Sequence, residues 1–598
     1  MTSRRRLLRW AHWFTAVHAG LLALIGLRYL WLYVRLSPTV AWVYAPLAYV
    51  GHIAVLAYLP IFLFVLPVIL LLPRPRVVVP LGVGLASTAA GFLMLDSLVF
   101  SENRYHLNIL TATLLGSHTW LFLGIYFALG LAIEGMLART VWQRTATAPT
   151  RHVGRYLALG LALCFAAANI MHAWFEARYD VSVTSLTRYL PLYFPLRDTQ
   201  IQVRLGLVDR RVARERGVVA ALGRPSAGEL QYPLHPLTCA PPRRPPNVLL
   251  IVVDGMRADV LTPQYAPRMS EFARGATRFA SHYSGGNSSR AGMFSIFYSL
   301  PATYWDAFAG FARPPVLMDL FRQHDFQIGV FTSSPVYRIV GLDRTALARI
   351  PNLRLETSSP YPGSSGRDRI LTEDWLRWLD RRDPARPFVG FLYYNAVVAS
   401  EPPDDYPHMF PPPAQATSLQ RLAARYLGAV HFVDGLVGQV LDDLRRRRLL
   451  DDLVVLITSD HGAEFDENGL GFTGHGTSYS HYQMHTPLVL HWPGRPAGII
   501  ERRTSHNDLA PTFLSGLFGC TNPPSDYSSG HDLYTDAPWS WLIAASYTEF
   551  ALIEPERVTI VYPAYYEIRG RDYRLIPGAT PPRDALLDAQ KEMGRFYR

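Results

Sequence analysis

Residues 453–465, Leu-Val-Val-Leu-Ile-Thr-Ser-Asp-His-Gly-Ala-Glu-Phe, decide the fold. Apolar and β-branched residues run unbroken from Leu453 to Thr458 and stop at Ser459-Asp460-His461-Gly462. An uninterrupted apolar run of strand length marks a parallel strand buried on both faces. Its carboxyl end then delivers an acid and an imidazole to the edge where open α/β sheets hold their ligands. A second run of the same kind, Asn247 to Val253, ends in Asp254-Gly255, so aspartates from two strands reach one crevice. Asp254, Asp460 and His461 together suit a divalent metal ion such as Zn²⁺, Mn²⁺ or Mg²⁺. Taken alone, each aspartate equally fits a cap on the helix that follows its strand.

Around these two strands the pattern alternates. Further strands are expected at Gln327 to Thr332, Pro387 to Tyr394 and Pro487 to Trp492. Helices are expected near Pro267 to Gly275, Val316 to His324, Thr372 to Asp380, Ser418 to Arg448 and Asp508 to Leu517. Such alternation predicts an α/β sandwich with a mostly parallel sheet between helices. The aromatic and polar alternation from Tyr547 to Pro577 predicts a small C-terminal antiparallel sheet. Between the two aspartate strands, Gly285-Gly286 turns into Asn287, Ser288, Ser289 and Arg290 at a helix start. This loop offers a hydroxyl and backbone donors to an anionic ester, or is a polar loop with a serine cap. Gly474-His475-Gly476 and His506-Asn507-Asp508 place further imidazoles close to these strands in sequence.

The chain is 598 residues long, 49% hydrophobic and of net charge +11. Its mean hydropathy of +0.08 is high for a soluble enzyme, and the excess lies in the first third. Five runs there are long enough to cross a bilayer: Ala11 to Val34, Ala45 to Leu72, Val77 to Phe100, Ser117 to Leu137 and Gly154 to Trp174. Arg4, Arg5, Arg6 and Arg9 precede the first run. Arg74 and Arg76 separate the second from the third, and Arg139, Arg144 and Arg151 the fourth from the fifth. The intervening loops hold only Arg35 and Arg104. The positive-inside rule therefore puts the N-terminus in the cytoplasm and the large C-terminal part outside it, with no cleavable signal peptide. Arg28, Asp96 and Glu134 are charged positions within the runs, which are functional candidates or partners of neighbouring helices.

These features divide the chain into a five-helix membrane domain (1–174), a basic connector (175–246) and a periplasmic α/β domain (247–598). The connector sets Arg210, Arg211, Arg214 and Arg216 beside aromatic residues, the composition of interfacial helices that grip phosphate headgroups or of a charged linker. Because the basic residues border apolar spans and form no stripe on a soluble domain, membrane lipid is the expected partner and nucleic acid is not. Of the three cysteines, Cys239 and Cys520 are free to pair in an exported domain.

DGMRAD at 254–259, FARGATRF at 272–279, TSDHGAEF at 458–465 and GHG at 474–476 resemble the sulfatase and alkaline-phosphatase superfamily. SGGNSSRAGMFSIFYSLPATYW, GFTGHGTSYSHYQMHTPLVLHWPG, SHNDLAPTFL and DYSSGHDLY more narrowly resemble the five-span inner-membrane sulfatase-like proteins of the YejM (PbgA) type. The resemblance runs along nearly the whole chain. It implies an alkaline-phosphatase-like α/β/α sandwich on a bacterial inner-membrane anchor, a role in lipopolysaccharide and lipid homeostasis, lipid A or acidic phospholipid as ligand, and an inner-membrane protein partner. Carried over by motif, it makes Asp254, Asp460 and His461 metal ligands and His475 an active-site histidine. It also puts Ser288 where related transferases carry a threonine nucleophile, with Ser289 the second choice.

The pattern also departs from the family. No CxPSR or SxPSR signature is present, which argues against a formylglycine sulfatase. Asn395 stands where catalytic relatives tend to have a substrate-binding histidine, and Phe331-Thr-Ser-Ser-Pro335 lacks another. Two functions follow: a lipid-binding regulator with a partly degenerate, metal-binding hydrolase site, and an active metal-dependent phosphoester hydrolase or transferase using Ser288.

Overall fold

The computed structural model describes residues 3–34, 41–103, 106–107, 117–147, 153–178, 183, 185–196, 199–209, 230–242, 244–337, 340–536, 539–546, 549–562 and 566–597. It forms two compact units, Met1–Leu230 (with Tyr597–Arg598) and Gln231–Phe596. Arg210, Arg211, Arg214 and Arg216 lie outside the described residues.

Five helices of the first unit are long and apolar enough to cross a membrane. They are Ser3–Val34, the second span beginning with Ala41–Pro60, Pro75–Asn103, Ser117–Thr147 and Val153–Ala177. Ala41–Pro60 continues through a π-helical turn, Ile61–Val65, into Leu66–Leu71. A proline supplies no N–H to the helical ladder, so widening to π geometry directly after Pro60 is the expected response. The intramembrane acids are partnered. Glu134 accepts from His18 Nδ1 at 2.6 Å, both side chains being fully enclosed. Asp96 accepts from the Tyr29 hydroxyl (2.5 Å), His106 Nδ1 (2.9 Å) and the Leu107 N–H (2.5 Å). Arg28 is exposed. Beyond the fifth span, the described part of the connector docks on the helices of its own unit. Tyr193 meets Tyr44 at 2.9 Å, His52 Nε2 lies 2.7 Å from the Pro191 carbonyl, and the Leu196 N–H donates to Asn169 at 2.9 Å.

The second unit is built on a seven-stranded sheet in the order β3-β4-β1-β5-β8-β2-β9. Its strands are β1 (Asn247–Val253), β2 (Thr277–Tyr283), β3 (Gln327–Thr332), β4 (Phe388–Tyr394), β5 (Leu453–Thr458), β8 (Leu488–His491) and β9 (Gly498–Ser505). The four strands β3, β4, β1 and β5 are parallel, β8 runs against β5 and β2, and β9 is parallel to β2. Alternating side chains of β1 and β5, such as Leu249, Ile251, Leu453 and Val455, share one core with helices Pro267–Arg274, Gly363–Arg381 and Ser418–Arg446. Phe391 of β4 points the other way and meets Phe297 of helix Ser289–Tyr298, with ring centroids 5.1 Å apart. Apolar strands with helices on both faces make the α/β/α sandwich. A four-stranded antiparallel sheet, β10 (Leu542–Ala545), β11 (Phe550–Ile553), β12 (Arg557–Val561) and β13 (Tyr566–Gly570), closes the C-terminal side. It begins before the expected Tyr547. Two short strands, β6 (Glu464–Phe465) and β7 (Thr473–Gly474), pair with each other after β5.

Besides the short pair β6 and β7, the structure adds two strands to the main sheet that were not expected, β2 and β9. Both are amphipathic, and β9 is a sheet edge, so neither carries the apolar run that marks a central strand.

Candidate metal centre

Three neighbouring parallel strands end together. In register, β1 Val252 faces Thr458 of β5, and Val253 faces Tyr394 of β4. Asp254 and Asn395 follow β1 and β4 directly, Asp460 follows β5 after Ser459, and Tyr393 sits one residue before the end of β4. Gly255 turns the chain away at φ +75°, a conformation glycine tolerates without strain. One ligand atom from each of Asp254, Asp460 and His461 lies within 4.8 Å of the others, and all three residues are buried.

The hydrogen bonds aim these groups. Asp254 Oδ2 accepts from the Tyr393 hydroxyl at 2.6 Å and from Asn395 Nδ2 at 2.7 Å. Its other oxygen, Oδ1, is buried without a hydrogen-bond partner, 3.4 Å from His461 Nε2. The Tyr393 hydroxyl is also 3.0 Å from Asp460 Oδ2, so one phenol spans both carboxylates. Asp460 Oδ1 accepts from the N–H groups of Gly255 (3.3 Å) and His461 (3.1 Å). His461 Nδ1 lies 2.9 Å from the Gly462 carbonyl, which can only accept. That contact assigns the proton to Nδ1 and leaves the Nε2 lone pair facing the carboxylates, as in metal-binding histidines. Burial, and next the Asp460 charge, hold the Asp254 carboxyl well above the usual carboxylate range.

An orphaned carboxylate oxygen, a second carboxylate and an aimed imidazole lone pair together fit a divalent cation. Asp254, Asp460 and His461 would hold it. Bound there, such an ion supplies Lewis acidity to an ester oxygen. Asn395, the residue in the expected histidine position, donates to a ligand carboxylate and so orients Asp254.

The hydroxyl loop packs against this cluster. Gly292, on helix Ser289–Tyr298, lies so close to the Asp460 carbonyl that a Cβ there would collide with it. Ser284 Oγ donates to the same carbonyl at 2.5 Å. Ser289 Oγ reaches His461 Nε2 at 3.1 Å. Ser288 caps the helix with extended backbone, and its fully enclosed Oγ has no hydrogen-bond partner. Of the two serines, Ser289 is therefore the one whose hydroxyl touches the metal cluster. His475 stacks on His461 with ring centroids 4.5 Å apart, and burial lowers its pKa to about 4. The Gly476 N–H donates to the Asn287 carbonyl (2.7 Å) and Asn287 Nδ2 to the Ser478 carbonyl (2.9 Å), tying the GHG segment to the hydroxyl loop. His506 meets Ser295 Oγ of the same helix through Nδ1 at 3.1 Å.

Sequence reasoning missed Tyr393 and Glu464. Glu464 is fully buried and accepts from Ser478 (2.6 Å), Ser480 (2.8 Å) and Gln483 (3.0 Å), fixing the loop behind His475. Its place five residues past Ser459 in TSDHGAEF was the available signal.

Residues 246–519 match the sulfatase family model, and residues 1–239 match a domain of unknown function, DUF3413. Inner membrane protein YejM of Salmonella typhimurium is 27% identical, the match covering 99% of this chain and 97% of that protein. An uncharacterized protein of Haemophilus influenzae is 23% identical over 99% of this chain and 96% of its own length. Choline-sulfatase of Rhizobium meliloti is 33% identical over 23% of this chain and 24% of that enzyme.

Proposed function

We propose that this chain, a YejM-like inner-membrane protein of the sulfatase family, is a lipid-binding regulator of outer-membrane lipid homeostasis whose sulfatase-type domain holds a metal ion in a retired hydrolase site. The observation that carries this reading is the closure of the centre. Asp460 and His461 are fully enclosed, Asp254 is 3% exposed, and Tyr393 already spans the two carboxylates. An ester substrate needs an open position beside the metal, whereas a structural or sensing metal does not.

In this reading the α/β domain is periplasmic. The arginine pattern of the span flanks and the disulfide between Cys239 and Cys520 support it, since disulfides persist in oxidising compartments. Arg210, Arg211, Arg214 and Arg216 take the phosphates of lipid A or acidic phospholipid. Leu192, Phe194 and Leu196, large apolar side chains exposed on the preceding segment, fit the adjoining membrane interface. Lipid occupancy is relayed to an inner-membrane protein partner.

The 3.1 Å contact of Ser289 Oγ with His461 Nε2 favours a second reading, residual phosphoester hydrolysis or transfer. The deciding experiment is turnover of a chromogenic phosphoester by the full-length protein in detergent, with and without Zn²⁺, Mn²⁺ or Mg²⁺. Wild type is compared with Ser288→Ala, Ser289→Ala and Asp460→Ala. Metal binding without turnover is expected. Metal-dependent turnover lost in Asp460→Ala and in one serine variant would establish the enzyme reading and identify the nucleophile.

A further inference from the structure

The sulfatase-type unit contains a second cavity, of about 530 Å³, whose lining includes none of the metal-centre residues. Three elements converge on it. The main sheet contributes Tyr283 from the end of β2 and Arg503 from β9, where Arg503 is in register with Ser281. The small sheet contributes Arg571, directly after β13. The segment beyond GHG contributes His481 and Tyr482.

Three arginines and two glutamates, Glu554 and Glu556, line this cavity. A third lining arginine, Arg557, is neutralised by Glu554 at 2.6 and 3.2 Å. Arg503 and Arg571 have no carboxylate within ion-pair distance among the described residues. Arg503 Nη1 is moreover buried with no hydrogen-bond partner, while its guanidinium lies 5.1 Å from the Tyr283 ring centroid. A guanidinium that lines a cavity without a carboxylate partner is matched by an oxyanion, which its fork of donors can hold bidentately.

The remaining lining suits a hydroxylated body. His485 Nε2 lies 3.0 Å from the Ala280 carbonyl, so that nitrogen carries the proton. Its Nδ1 then accepts from His481 Nε2 at 3.0 Å, which leaves His481 Nδ1 as a lone-pair acceptor. Tyr283, Tyr479, Tyr482 and Tyr573 complete the lining with aromatic side chains that carry hydroxyls.

We infer that this cavity is a second ligand site, for a phosphate- or sulfate-type oxyanion carried on a hydroxylated ring, with Arg503 and Arg571 holding the anion and His481 and the tyrosines the ring. It is independent of the metal reading, because no metal ligand lines it. A free sugar phosphate and a lipid with a phosphorylated ring as headgroup present the same chemistry to these residues.

The test is calorimetric titration of the full-length protein in detergent with glucose 1-phosphate, inorganic phosphate and glucose, with EDTA throughout so that no metal ion captures phosphate. Saturable binding of glucose 1-phosphate is expected, tighter than either fragment. Arg503→Gln should weaken it about ten- to hundredfold, the effect of losing hydrogen bonds to a charged group. Arg571→Gln, at an exposed turn where folding is not at stake, should weaken it in the same direction. Vesicles containing phosphatidylinositol 4-phosphate that compete with glucose 1-phosphate through Arg503 make the ligand a lipid headgroup, and competition by soluble sugar phosphates alone makes it a free metabolite. Absence of binding, or binding unchanged in both arginine variants, overturns the assignment. Inorganic phosphate binding as tightly as glucose 1-phosphate overturns its sugar part.

Discussion

Replacing Asp254 by asparagine separates a metal ligand from a structural residue. The side chain keeps its shape, and its carbonyl can take over the hydrogen bonds that Oδ2 accepts from Tyr393 and Asn395. Its amide then occupies the place of the orphaned Oδ1 and donates to the lone pair of His461 Nε2, 3.4 Å away. Without metal, the substitution removes repulsion from Asp460, whose ligand oxygen lies within 4.8 Å. At that separation two unit charges repel by about 3 kcal/mol at an effective dielectric constant of about 20. Burial, which raises the Asp254 pKa, already offsets part of this, so a gain of about 1–3 kcal/mol is expected for Asp254→Asn in EDTA. With metal the order reverses. A site loaded at a hundredfold excess over Kd stabilises by about 2.7 kcal/mol, which falls to about 0.4 kcal/mol if losing the carboxylate weakens affinity a hundredfold. Thermal unfolding of full-length protein in detergent, in EDTA and in excess Mn²⁺ or Zn²⁺, reads both effects. A wild type indifferent to every metal, with Asp254→Asn less stable in EDTA, would refute the reasoning.

Further outcomes follow from single features. Gly292→Ala drives a methyl group into the Asp460 carbonyl; it should cost about 1–3 kcal/mol and abolish the metal-induced shift in Tm, and retention of a wild-type shift would show that the helix can move away. Asp368, held at a pKa of about 7 by burial against an ordinary 3.8, keeps a proton in the folded chain that the unfolded chain releases. Its contribution is therefore complete below about pH 4 and lost as pH rises towards 7, with a slope approaching 1.4 kcal/mol per pH unit; a pH series of Tm should be flatter over that window in Asp368→Asn than in wild type. Cys520→Ser opens a cross-link between residues 281 positions apart and should cost about 2–5 kcal/mol, measured against wild type with and without reductant; equal stability in all three samples would mean the bond contributes nothing.

The parts of this fold that were legible in the sequence are those determined locally. β1 and β5 announce themselves because their interiors, Val248 to Val253 and Leu453 to Ile457, are unbroken apolar runs, as burial on both faces requires, with the acids within three residues of their ends. β2, Thr-Arg-Phe-Ala-Ser-His-Tyr, carries a register shift between Phe279 and Ser281, and β9 contains Glu501, Arg502 and Arg503, so neither presents a run of one character. Tyr393 was illegible as a site residue because its role exists only when β4 lies beside β1, a pairing between residues more than a hundred positions apart. The choice between Ser288 and Ser289 turns on the backbone at the helix start, where one residue is extended and the next helical, a distinction that two adjacent serines cannot encode. The second cavity draws on β2, β9, β13 and the loop beyond GHG, and no local motif spans them.

The enclosed contact between His18 and Glu134 joins the first membrane helix to the fourth across 116 residues of chain. During synthesis the imidazole enters the bilayer long before its partner has been translated. A nascent chain halted after three spans thus exposes a polar ring to lipid or keeps it waiting in the insertion machinery, since unpaired polar groups are disfavoured in hydrocarbon. The pair leaves the first helix with an unmatched polar ring until the fourth is present, so truncations ending before Ser117 should be recognised as unassembled and degraded.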